Sequence, residues 1–211
     1  MFPSQGLDFG FGESEDFLSH DMEKGKEIYQ DSELIFDFNQ SDHIGERSPG
    51  ICVYCCDEMH DIWSRMRGLS FDVLLAQIRN LDRAAFIKKV TERALEDKKH
   101  GGKFREMAWK KGLSDIESHA RHMKHNQICR IGLELSKGRR HAVTSLVSED
   151  GLRCLFFDPN YGLLLIKRPT RSLLGKRVRY RDMERLCEYL YDKEADHFSG
   201  GLGIQRERQR R

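Results

Sequence analysis

The chain has 211 residues, enough for one domain with its own core. Apolar residues make up 38% and charged residues 33%, and the net charge is only +2, so the surface is charge-coated with no global pull toward nucleic acid. No apolar stretch approaches the roughly 20 residues that span a bilayer, and the opening "MFPSQGLDFGFGESEDFLSHD" has neither a basic n-region nor an apolar h-region, which argues against a Sec signal peptide.

In chain order, residues 1–31 are rich in Gly, Ser and acids and read as a mobile N-terminal segment. "SELIFDFNQ" (32–40) alternates Leu34, Phe36 and Phe38, the period of a strand. "SPG" starts a helix, with Ser48 as N-cap and Pro49 in the first turn. From there Cys52, Cys55, Cys56, Met59, Trp63 and Met66 recur at helical spacing, with Asp57, Glu58, His60, Asp61 and Arg65 expected to face out, until Gly68. "SFDVLLAQIRNL" and "DRAAFIKKVTERALEDKK" read as two more helices, and "KFREMAWKKG" and "SDIESHARHMKH" as helical after the Gly101-Gly102 break.

The pattern then changes to period two. "CRIGLEL", "HAVTSLV", "LRCLFF", "GLLLIK" and "KRVRY" form a meander separated by "SKGRR", "SEDG" and "DPNY". An amphipathic helix, "RDMERLCEYLYDK", follows, and 194–211 read as a basic, disordered tail. Helices first and an antiparallel sheet after give an α+β domain.

Six cysteines, at 52, 55, 56, 129, 154 and 187, read as reduced thiols; by default each is a small core hydrophobe. Cys52 stands out. It lies about one turn inside its helix, where free N–H groups and the macrodipole favour a thiolate. Two other residues at strand ends can do chemistry: His141, opening "HAVTSLV", and Asp158, closing "LRCLFFD". With a two-residue turn at Asp150-Gly151, His141 faces Asn160 and Asp158 is its diagonal neighbour on the same face, roughly 7–8 Å away. With a loop from Ser148 to Gly151, His141 faces Asp158 directly. Both even-length loops put them on one face of the sheet, so Asp158 is expected to receive an imidazole N–H of His141.

"SPGIC" opening a helix, "RRHAVTSLV" on a strand and "FFDPNYGLLLI" after it resemble YopT/AvrPphB-type cysteine proteases over about residues 32–193. The Asp-Pro-Asn-Tyr-Gly element is the most specific part. The resemblance implies a papain-like fold, with the nucleophile at a helix N-terminus packed on an antiparallel sheet, and a catalytic domain over 32–193. It implies Cys52 as nucleophile, His141 as general base and acid, and Asp158 as orienting group. It also implies a bacterial effector that leaves the bacterial cytoplasm by type III secretion for the host cytosol, where it acts on a host protein; small GTPases and kinases are among the family's targets. A monomer is expected, with no cofactor, no nucleic acid and no transmembrane segment. Two features depart from the papain pattern. No Gln or Asn stands between Gly45 and Cys52, which leaves Gln40 as the nearest amide for an oxyanion, and the papain string around the nucleophile is absent.

Two other functions compete. The same triad in a papain-like fold could serve a glutamine deamidase or an acyl transferase. From a different class, the C-x-x-C of "CVYCC" with His119, His122 and His125 could make a zinc-stabilised binding module, although no second C-x-x-C exists.

Overall fold

The computed structural model describes residues 13–44, 51–101, 128–135, 140–167, 180–192 and 198–206. In chain order these form α1 (Glu13–Gln30), β1 (Glu33–Phe36), α2 (Gln40–Ile44), α3 (Ile51–Arg65), α4 (Phe71–Arg79), α5 (Arg83–Lys99), β2 (Ile128–Leu135), β3 (Arg140–Val147), β4 (Arg153–Asp158), β5 (Gly162–Lys167), α6 (Tyr180–Asp192) and β6 (Phe198–Arg206). The expected mixture of helices and an antiparallel meander is what forms. The Ser-Pro-Gly helix start, the helices over 103–125 and most of "KRVRY" lie outside the described residues; Tyr180 itself opens α6.

One six-stranded antiparallel sheet, ordered β1-β5-β4-β3-β2-β6, organises the chain. Both of its faces are covered. On one side Ala142, Leu146, Leu155, Phe157 and Leu163 pack with Cys55, Met59 and Trp63 of α3 and with Phe86 and Val90 of α5. On the other, Val143, Val147, Cys154, Phe156 and Leu164 pack with Met183, Leu186, Cys187 and Leu190 of α6. Burial on both faces explains why β4 and β5 read as continuous apolar runs, where a one-faced sheet would alternate. At the edge, an irregularity between Leu34 and Phe36 in β1 lets Phe36 turn inward while Leu34 stays exposed.

Three sequence readings are corrected. Residues 13–30, expected to be mobile, form α1, whose Ile28 and Tyr29 join the core beneath α6. The stretch 198–206, expected to be part of a disordered tail, pairs with β2 as β6. Strand pairing satisfies backbone groups whatever the side chains, so charge and glycine content did not announce it. Finally, Asp57 and Glu58, expected to face out, are buried, because α3 runs through the middle of its layer. Glu58 is compensated there by Arg93 at 2.9 Å, Arg65 at 3.3 Å and Lys89 at 3.6 Å.

Helix α1 can reach α6 because Gly25 sits at the crossing: a Cβ there would lie 2.1 Å from the Arg185 carbonyl oxygen. Replacing a helical glycine with alanine ordinarily stabilises by about 0.5–1 kcal/mol. Here Gly25→Ala should instead destabilise by about 1–3 kcal/mol, the usual cost of overpacking, as measured by urea denaturation.

Candidate active site

The β3–β4 hairpin fixes the site. Thr144 pairs with Phe157 and Val147 with Cys154, the register of the two-residue turn, with Gly151 at a φ of 73°. Ser148 N–H donates to the Arg153 carbonyl at 2.9 Å and Gly151 N–H to the Ser148 carbonyl at 2.9 Å. This register makes Asp158 the diagonal neighbour of His141. The two side chains lean together until His141 Nε2 lies 2.8 Å from Asp158 Oδ1, with both residues buried.

Asp158 closes β4 at the start of a tight turn in which Tyr161 N–H donates to its carbonyl at 3.0 Å. Its carboxylate accepts three hydrogen bonds from the described residues. Oδ1 also accepts Asn160 N–H at 2.9 Å, and Oδ2 accepts the Tyr191 hydroxyl at 2.7 Å. The rest of the Asp-Pro-Asn-Tyr-Gly element is used as well. Gln40 N–H donates to the Pro159 carbonyl at 2.7 Å, and Tyr161 hydroxyl donates to the Leu190 carbonyl at 2.8 Å. Gly162 takes a φ of 84° where a Cβ would stand 2.4 Å from the Phe36 carbonyl oxygen. This turn is therefore roofed by α6 on one side and by the end of β1 on another, which is how an aspartate at a turn comes to be wholly buried.

Cys52 reaches the pair from the opposite layer. Cys56 Sγ donates to the Ala142 carbonyl at 3.2 Å, which fixes α3 against the start of β3. Cys52 is four residues back on the same side, about 6 Å along the axis, close enough to act on the His141 ring. With Nε2 occupied by Asp158, Nδ1 is the ring nitrogen left for the thiol. Burial alone would push the His141 pKa down; the charges of Asp158 and Cys52 outweigh it and raise the value from 6.5 to about 10. Cys55, fully buried one turn deeper, is kept neutral: burial first, and then Cys52 beside it, push its thiol well up. None of the described cysteine side chains, at 52, 55, 56, 154 and 187, is in a disulfide with another described residue.

Gln40 does not stand alone as an oxyanion donor. Its Nε2 donates to Asn160 Oδ1 at 2.6 Å, and its Oε1 is buried without a hydrogen-bond partner. The amide thus supports the turn that holds Asp158. The zinc reading depended on His119, His122 and His125, which lie outside the described residues; among the described residues no group of three or more His, Cys, Asp or Glu could hold a metal ion. None of the described helices is long and apolar enough to cross a membrane. Tyr191 is the site residue that sequence reading missed. It was visible only as one apolar position of an amphipathic helix, and nothing local in "EYLYDK" aims its hydroxyl at a carboxylate 33 residues away.

The class these features define is an α+β domain with a buried cysteine, histidine and aspartate meeting at the start of a β-hairpin. Among solved structures, the fold resembles that in the crystal structure of the Pseudomonas avirulence protein AvrPphB. That structure is similar to this chain with a TM-score of 0.50 and 10% identity, over 86% of this chain and 98% of that one. The resemblance first carried by short motifs is thus met at the level of the fold. No protein-family model matches the sequence, and no curated protein matches it.

Removing one partner of a buried ion pair costs about 3–5 kcal/mol. Asp158→Asn should lose stability on that scale, because imidazolium and asparagine lack the charge complementarity of the native pair. The sign with pH follows from the raised His141 pKa. Its contribution is full below the ordinary value of 6.5 and is lost as the pH climbs through about 10. The gap between wild type and Asp158→Asn in urea denaturation should therefore be largest near the acidic end of that window and narrow as pH rises.

Proposed function

We propose that the chain is a papain-like cysteine protease, delivered by a bacterium into a host cell, where it cuts a host protein. The observation that carries this reading is the buried His141–Asp158 contact of 2.8 Å, with Cys52 close enough to act on the same imidazole. A fold shared with a protein named for avirulence fits the setting.

In this mechanism Cys52 gives its proton to His141, and the thiolate attacks the scissile carbonyl. Backbone N–H groups in the first turn of α3, unsatisfied within a helix, suit the developing oxyanion, and the remaining N–H of Gln40 is a second candidate donor. As the tetrahedral intermediate collapses, imidazolium His141 protonates the leaving amine, leaving a thioester on Cys52. His141 then takes a proton from water, which attacks the thioester, and returns that proton to the thiol. Asp158 keeps the ring oriented and balances its charge throughout.

Host-cell lysate exposed to wild-type protein and to Cys52→Ala separates the outcomes in one experiment. New protein termini that appear only with wild type support cleavage. Glutamines converted to glutamate without new termini would make the chain a deamidase, and identical peptide maps from the two proteins would overturn the reading. Once a substrate is in hand, Asp158→Asn should lower kcat by about 10⁴-fold, as when an amide replaces the orienting carboxylate of a serine-protease triad.

A further inference from the structure

Asp158 spends its two oxygens unequally. Oδ1 takes His141 Nε2 and Asn160 N–H, whereas among the described residues Oδ2 takes only the Tyr191 hydroxyl, at 2.7 Å. Tyr191 is itself fixed: it is 1% exposed, its ring meets Tyr161 edge-on at 5.9 Å and lies 5.4 Å from the His141 ring, and Asn160 Nδ2 donates to its oxygen at 3.3 Å. Tyr161 hydroxyl, bonded to the Leu190 carbonyl, pins the same turn of α6.

We propose that Tyr191 is a positioning residue of the triad, whose hydroxyl turns the Asp158 carboxylate so that Oδ1 meets His141 and moderates how tightly that carboxylate holds the imidazole proton. The inference rests on the triad reading above. A carboxylate in a low-dielectric interior attracts a neighbouring proton strongly, and a second donor on its far oxygen spreads the charge and weakens that pull. The hydroxyl stays a donor throughout, because burial, and then the Asp158 charge, push the Tyr191 phenol well above its ordinary value. The groups facing this cluster are Asp158 and Asn160 from the turn, His141 from β3, Cys52 from α3 and Cys187 from α6.

The test is the NMR titration of the His141 ring nitrogens in the full chain, which needs no substrate. Tyr191→Phe should raise the His141 pKa by about half a unit or more, the size of one net hydrogen bond acting on one protonation state. Tyr161→Phe, which breaks a hydrogen bond in the same helix contact without touching Asp158, should lower Tm and leave the His141 titration in place. Site-specific 3-fluorotyrosine at 191 keeps the shape but donates more strongly, so it should lower the His141 pKa; it decides the matter if Tyr191→Phe fails to fold. An unchanged or oppositely moved titration in a folded Tyr191 variant overturns the proposal. Failure of the triad reading shows separately: Cys52→Ala would then leave the His141 titration where it stands in wild type.

Discussion

The buried hydrogen bond between His141 and Asp158 is the constraint around which this chain is arranged. A carboxylate with no solvent contact is expensive unless every lone pair that matters has a donor. The fold meets that demand with donors from three separate places: the ring of β3, the backbone of the turn after β4, and the hydroxyl carried by the last turn of α6. Remove the helix and the aspartate loses both its roof and its third donor. Helix α1 matters for the same reason at one remove, since it backs α6 through the close approach at Gly25.

The sheet serves as a partition as much as a platform. Helix α3 brings Cys52 from one face, held in register by Cys56 on the Ala142 carbonyl, while α6 brings Tyr191 from the other. His141 stands at the beginning of β3, where a side chain can reach both layers around the end of the strand. That position lets one imidazole give Nε2 to the carboxylate and keep Nδ1 for the other layer. A histidine in mid-strand would be confined to one face.

How much of this was legible in the sequence depended on how local the signal was. Period two in "HAVTSLV" and "LRCLFFD", and a turn between them, narrowed the geometry to two registers that both put His141 and Asp158 on one face. The observed pairing of Val147 with Cys154 distinguishes them, and sequence alone could not show that choice. Cys52 was visible because its helix start was. What stayed hidden depends on contacts between distant segments. Tyr191 and Asp158 meet only once α6 folds over the sheet; Glu58 is tolerated inside because Arg93 arrives from another helix. Helix α1 had too few aliphatic residues to be read as a partner of α6, and β6 carried glycine and charge that masked its pairing with β2.

The central claim is that the His141–Asp158 pair activates one of three neighbouring thiols. Limited alkylation with iodoacetamide at mildly acidic pH, followed by peptide mass spectrometry of Cys52, Cys55 and Cys56, tests it directly. The account predicts that Cys52 is modified first and that Asp158→Asn slows its modification, while Cys55, whose thiol burial pushes well up, stays unreacted in the folded chain. Modification of Cys55 or Cys56 ahead of Cys52, or a Cys52 rate indifferent to Asp158→Asn, would contradict it.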